Sequence, residues 1–323
     1  MGGYLGFMYR QLTYTPKPLP QDTSISGNTI LVTGANIGLG YEAARHLASH
    51  SPSRLILAVR NITTGEATKE AISKASPDCN IEVWPLDYDS YDSIIAFSKR
   101  AATLERLDYV LLNAGVKQVT YTTASSGHET NIQINHISTS LLSLLLLPIL
   151  QATARKTNKP SRLTLVSSEG HFWTPFKERT APSILTRMDE KETFRDEMER
   201  YNTSKLLNVL WVRELARKVD GAEVLINTLN PGFCHSGIHR NGGGMINLFL
   251  WLLGWTTEQG GYCLADALVG HGDSHGKYIS EQKITEPSNF VLSEEGEVAQ
   301  RRIWDETVDL LRKEAPKSDI VIP

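Results

Sequence analysis

From Thr29 onward the chain alternates short, β-branched apolar runs with segments of helix length, and that alternation leaves few folds open. Strands are predicted at Thr29–Thr33, Leu55–Val59, Ile81–Leu86, Tyr109–Leu112, Leu163–Ser167 and Val224–Leu229, with helical patterns near 38–49, 63–75, 90–103, 128–157 and 197–219. Six strands joined by helix-length crossovers make βαβ units and one parallel sheet covered on both faces. Runs such as TILVT and YVLL lack a polar alternate face, as strands buried on both sides require. The expected class is therefore α/β, a doubly wound parallel sheet in a single domain over 28–323. An irregular arm, punctuated by Pro16, Pro18 and Pro20, is expected to precede it over 1–27. Gly276–Ser280 is a candidate seventh strand, and 294–313 has the pattern of an amphipathic helix.

The first predicted strand runs into Thr33-Gly34-Ala35-Asn36-Ile37-Gly38-Leu39-Gly40 and then a helical pattern. Glycines in a strand–turn–helix context allow a tight turn, backbone approach to a pyrophosphate and close helix–sheet packing. The helix start adds free N–H groups and a positive dipole end for the anion. Tyr201 and Lys205 lie four apart in a second helical pattern, so their side chains share one face. Bringing a phenol from about 10 into the neutral range takes about 4 kcal/mol. An ammonium about 4 Å away, at an effective dielectric near 20, supplies roughly that amount.

The TGxxxGxG spacing resembles that of the short-chain dehydrogenase/reductase family, and further motifs follow in the family's order. They are Asn113-Ala114-Gly115, the pair Ser167-Ser168, Tyr201-Asn202-Thr203-Ser204-Lys205 as YxxxK, and Pro231-Gly232. The resemblance spans roughly residues 28–280 and implies a Rossmann-type fold that binds a nicotinamide dinucleotide. The arm, the LILAVRN segment and the long gap before Tyr201 look like the retinol-dehydrogenase-like branch, especially fungal members linked to secondary metabolism.

Carried over by resemblance, Tyr201 is the acid/base, and Lys205 lowers its pKa and holds the nicotinamide ribose. Ser168, ending the fifth strand, holds the substrate oxygen, with Ser167 the lesser candidate. Asn135 serves a water-borne proton relay. Gly34, Asn36, Ile37, Gly38, Leu39 and Gly40 cradle the dinucleotide, Asp87 lies near the adenine, and Asn113, Ala114 and Gly115 flank the ribose. Pro231, Gly232 and Ser236 match PGxxxT with serine in place of threonine, Ser236 keeping the hydroxyl for the carboxamide. NAD enzymes place a carboxylate after the second strand, but this chain reads Ala58-Val59-Arg60-Asn61. An arginine there can meet a 2′-phosphate, so NADP is the expected cofactor.

Ser168 and Tyr201 stand 33 positions apart, leaving an insertion over about 171–198 whose His171, Phe172 and Trp173 either contact substrate or pack. The segment 233–256, with MINLFLWLLGW, reads as an apolar substrate lid. These features predict hydride transfer to or from a carbonyl or alcohol on a bulky apolar small molecule. The same scaffold also permits dehydration, epimerisation or cyclisation without net redox change, or cofactor binding with little catalysis. The Tyr201, Lys205, Ser168 and Asn135 set speaks against a pure binder, which needs none of the four.

A net charge of -3 gives no basic footprint for nucleic acid. The run Leu141–Leu150 is about half a bilayer span, so no transmembrane segment is expected. That helix suits the sheet or a second subunit, which leaves a homo-oligomer open. Three scattered cysteines and an opening without a continuous apolar core point to the cytosol. His271 and His275 lack a third ligand, so no metal is expected.

Overall fold

The computed structural model describes residues 3–237 and 250–323. Its sheet has eight strands: β1 (Thr29–Thr33), β2 (Arg54–Val59), β3 (Asn80–Pro85), β4 (Tyr109–Leu112), β5 (Ser161–Val166), β6 (Val224–Leu229), β7 (Tyr278–Ser280) and β8 (Lys283–Thr285). They lie in the order β3-β2-β1-β4-β5-β6-β7-β8. All neighbouring pairs are parallel except β7 with β8. This is the doubly wound α/β sheet that the apolar runs imply. The eighth strand was not legible, because a three-residue KIT segment carries no periodicity.

Helices that cover the sheet or frame its carboxyl edge include α1 (Tyr4–Thr13), α2 (Gly38–Ala48), α3 (Ile62–Ala75), α4 (Tyr91–Ala101), the short α5 (Thr130–Ile132), α6 (Ser138–Thr157), α7 (Ile184–Met188), α8 (Glu197–Lys218), α9 (Thr257–Val269), the short α10 (Asn289–Leu292) and α11 (Glu294–Glu314). Alternate residues of β1 serve opposite faces of the sheet. Ile30 and Val32 pack with Ala43, Ala44 and Leu47 of α2, whereas Leu31 packs with α6 and α8 side chains such as Leu142 and Leu207. All five β1 residues are buried, which is why TILVT needs no polar face. The segment Thr130–Thr157 is apolar and long enough to cross a bilayer, yet 72% of its most apolar window is buried inside the protein.

The strand order reverses direction at β1, between β2 and β4. A doubly wound sheet opens a crevice at the carboxyl ends of the strands there. The glycine turn after β1 and Asn113-Ala114-Gly115 after β4 both fall at that point.

One expectation is corrected. The arm over 1–27 is not irregular throughout, because Tyr4–Thr13 forms a ten-residue helix. Its order comes from docking: Phe7 meets Trp173 and Phe233 edge-on, contacts that local periodicity cannot reveal.

Candidate functional site

The turn after β1 is shaped by backbone. Gly34 has φ +65° and Gly38 φ +59°, a left-handed region that glycine enters without steric cost. A Cβ at Gly40 would collide with the Gly34 carbonyl oxygen and the Asn113 side-chain nitrogen. Ile37 caps α2 with extended backbone and no side-chain hydrogen bond, leaving the first amides of the helix uncovered by a cap. The Asn36 side chain donates to Thr64 Oγ1 at 2.8 Å, tying the turn to α3.

The β4 segment is fastened to the same turn. Asn113 Nδ2 donates to the carbonyls of Thr33 (3.0 Å) and Gly34 (3.3 Å). The backbone N–H groups of Asn113 and Ala114 both donate to Thr33 Oγ1 at 3.0 Å. The motif reading missed Thr33, whose hydroxyl joins the two motifs; its place directly before the first glycine was the available signal.

Around these segments lies a cleft of about 700 Å³, within the range typical of ligand pockets. Residues 34 and 36–40, Arg60, Asp87, Asn113, Ala114, Gly115 and Ser236 all line it. Arg60 is exposed, one residue beyond the end of β2. Asp87 Oδ1 accepts the Asp89 N–H at 3.0 Å, while its own N–H goes to Ser93 Oγ. Pro231 and Gly232, expected at the cofactor, are not among the lining residues. Gly232 (φ +83°) has no room for a Cβ beside the Trp255 ring.

The second group gathers where β5 ends. Strand β5 stops at Val166, so Ser168 begins a 3-10 turn rather than ending the strand. Ser168 Oγ accepts the Gly170 N–H at 3.1 Å and stands close enough to the Tyr201 phenol to lower its pKa. Burial pushes the Tyr201 phenol well above its usual value, and Ser168 opposes that rise. Ser167 is engaged elsewhere, its hydroxyl donating to the Lys205 carbonyl at 2.8 Å.

Lys205 departs from expectation. Its ammonium donates to the Val166 carbonyl at 3.0 Å and lies 5.8 Å from the centre of the Tyr201 ring. Desolvation pulls it down to about 8. A buried ammonium must find an acceptor, and the carbonyl at the end of β5 meets that need without the phenol.

Asn135 lies in a π-helical turn, Gln133–Ile137, between α5 and α6. Its side chain bonds both backbone groups of Val116 at 2.8 Å and donates to Ser204 Oγ at 2.9 Å. Gly115 joins the two groups: a Cβ there would stand 3.0 Å from Asn135 Oδ1 and 3.3 Å from Lys205 Nζ. Its bare Cα lets Asn135 Oδ1 and Lys205 Nζ approach the cleft wall from behind. The structure thus brings Tyr201, Lys205, Ser168 and Asn135 to one end of the Asn113–Gly115 wall.

Beyond Ser168, the insertion is a series of short turns, including Lys177–Thr180, α7 and Lys191–Thr193. His171 and Phe172 pack on Tyr278, and Trp173 stacks with Tyr4 at 4.6 Å. His171 is desolvated to about 4 and stays neutral near pH 7. Helix α1 bridges this insertion to the chain after β6. Arg10 pairs with Glu169 and, at 3.3 Å, with Glu281. Gln11 Nε2 donates to the carbonyls of Phe233 (2.9 Å) and Leu253 (3.0 Å), and its oxygen accepts the Phe233 N–H. Of the expected lid over 233–256, residues 238–249 lie outside the described residues.

The fit to a dinucleotide rests on this geometry: a glycine cradle that a Cβ would fill, uncapped helix amides and a cleft leading from them to Gly115. Residues 28–170 match the short chain dehydrogenase family model. The chain is 54% identical over 288 residues to the short chain dehydrogenase sol3 of Alternaria solani, covering 88% of this chain and 99% of that one. It is 38% identical to the short-chain dehydrogenase fogG of Aspergillus ruber, covering 96% of this chain and 92% of the relative. Among solved structures, the Pseudomonas aeruginosa RhlG/NADP active-site complex superposes with a TM-score of 0.63 at 20% identity, over 81% of this chain and 97% of that one. The chain belongs to the short-chain dehydrogenase/reductase family, a family of nicotinamide-dependent oxidoreductases, and stands with its fungal members.

Proposed function

We propose that this protein is an NADP(H)-dependent reductase of a ketone or aldehyde on a bulky, mostly apolar molecule, with Tyr201 as proton donor. The observation that carries the reading is the meeting of the Tyr201 and Ser168 side chains beside Lys205, at the end of the wall formed by Asn113, Ala114 and Gly115. A bound nicotinamide dinucleotide supplies the hydride; the chain has to bind, orient and protonate. The turn 34–40, Asp87, Asn113–Gly115 and Ser236 hold the dinucleotide along the cleft, and Lys205 reaches its ribose past Gly115.

Ser168 Oγ holds the substrate oxygen against the Tyr201 hydroxyl. As negative charge develops on that oxygen, Tyr201 Oη gives up its proton. The phenol carries its proton at neutral pH, as donation requires, while burial resists its release. The nearby Lys205 ammonium stabilises the phenolate left behind. Asn135 Oδ1 spends one lone pair on the Val116 N–H, and the other is available to a water leading the proton back from Lys205. By resemblance to fungal members, the substrate belongs to secondary metabolism; the three scattered cysteines support a cytosolic reaction.

Arg60 sets the cofactor preference. No carboxylate follows β2 until Glu66, and the exposed guanidinium stands at the cleft rim. One charge-assisted bond to a 2′-phosphate is worth about 1.5–3 kcal/mol, roughly ten- to hundred-fold in affinity. NADPH oxidation should be followed against ketones of graded size with wild type and Arg60→Ala. The expected result is turnover of larger ketones, with a KM for NADPH raised about ten- to hundred-fold by the substitution and the KM for NADH unchanged. Equal effects on both dinucleotides would discard the NADP assignment, and product formation without NADPH consumption would indicate a non-redox reaction.

A further inference from the structure

The cleft wall continues past Gly115 into a lysine that neither dinucleotide binding nor proton transfer uses. Lys117 lines the cleft, yet its side chain is only 2% exposed. Its backbone is held on both sides: Asn135 takes both polar groups of Val116, and Asn131 Oδ1 accepts the Gln118 N–H at 2.9 Å. The segment therefore holds the Lys117 backbone in one place. The nearest acid is Glu197, the first residue of α8 and one helical turn before Tyr201. The two stand 3.7 Å apart, beyond hydrogen-bond distance.

An ammonium has three donors to satisfy. Among the described residues the one ion-pair partner of Lys117 is Glu197, which leaves donors to spare, and a desolvated charge with too few acceptors is unfavourable. Desolvation accordingly lowers its pKa, against the pull of Glu197 and Asp196. A largely buried cation on the cleft wall, its backbone held by two asparagines and its one ion-pair partner 3.7 Å away, is arranged to receive an anion.

We propose that Lys117 binds a carboxylate of the substrate, so that the molecule reduced here is an oxo acid with its carbonyl at Tyr201 and its acid group between Gly115 and the start of α8. The charge balance selects the class. A carboxylate adds one negative charge beside Glu197, whereas a phosphate would add nearly two and meet stronger repulsion. The inference rests on the reductase reading for the nature of the substrate, and binding measured apart from oxidation separates the two.

NADPH-loaded protein is titrated with 4-formylbenzoate and with its methyl ester, for wild type, Lys117→Met, Lys117→Arg and Glu197→Gln. The acid should bind wild type about ten- to hundred-fold more tightly than the ester. Lys117→Met should erase that preference and Lys117→Arg should retain part of it, with NADPH affinity unchanged in both. Glu197→Gln removes the competing carboxylate and should tighten acid binding several-fold, a gain that a misfolded variant cannot mimic. Equal binding of acid and ester by wild type, binding of neither, or a loss of NADPH affinity in Lys117→Met would overturn the assignment. NADPH oxidation with the same two aldehydes reads the other question: a clear acid preference in binding without any oxidation would leave Lys117 in place and remove the reductase reading.

Discussion

The two halves of the site are built from different materials. At the glycine-turn end, contacts are made by backbone and short polar groups: Thr33, Gly34, Asn113 and Ala114 bond one another within two adjacent strand ends. At the Tyr201 end, the surroundings come from across the whole chain, with Arg10 reaching Glu169 and Gln11 reaching Phe233 and Leu253. The first end must recognise one invariant dinucleotide, so rigid backbone is sufficient. The second must fit a particular substrate, and side chains on variable segments can change without disturbing the sheet. Binding and turnover should therefore separate cleanly when each end is altered.

The sharpest separation comes from Tyr201→Phe. The ring still fills its buried site, but the hydroxyl proposed as proton donor is gone. General acid catalysis contributes about 10²–10⁴-fold, so kcat should fall by roughly that factor while the NADPH dissociation constant stays within a few-fold. Near-normal turnover would remove Tyr201 as the acid and with it the claim that the two ends have separate duties.

Gly40→Ala attacks the opposite end. The added methyl would collide with the Gly34 carbonyl oxygen, and forced overpacking typically costs about 1–3 kcal/mol. NADPH affinity, followed by fluorescence titration, should weaken up to about a hundred-fold. Unchanged affinity would mean that the close approach of α2 to the turn is not what shapes the cradle.

A smaller and graded effect should follow pH. Lys205 is depressed to about 8 in the folded protein, whereas an unfolded lysine keeps its proton to about 10.4. Between these values the unfolded chain binds more protons, so the stability contributed by this group rises with pH across that window. The charge beside Tyr201 is lost over the same range. Turnover should thus decline above pH 8, by about tenfold per unit once the limb is reached, while this group's share of stability improves. Lys205→Arg keeps its charge and should move the alkaline limb upward, whatever it does to the absolute rate.

The same contrast explains what was legible in the sequence. Strands β1 to β6 and the motifs at residues 34–40, 113–115 and 201–205 declare themselves through local spacing, because their contacts are fixed by a strand end and the next helix. The π-helical turn holding Asn135 was not legible: one extra residue per turn leaves no mark in an apolar pattern that continues to Thr157. The orientation of Lys205 was also hidden, since sequence shows its distance along the helix from Tyr201 but not the Val166 carbonyl that captures it. Helix α1 reads as an irregular arm because its order depends on partners more than 150 positions away.

That dependence makes α1 the most demanding test of the comparison, through Gln11→Ala. The substitution removes a buried amide that donates to two carbonyls and accepts one N–H from the segment after β6. Leaving such groups unsatisfied costs about 1–3 kcal/mol when water cannot reach them. Because Phe233 lies next to Gly232 and three residues before the cleft-lining Ser236, loosening it should disturb the substrate end first. The expected outcome is a several-fold rise in the KM for the carbonyl substrate and a lower melting temperature, with the NADPH dissociation constant unchanged. A parallel loss of NADPH affinity would show that Ser236 depends on α1 for its place, and that the two halves of the site are coupled through the chain after β6.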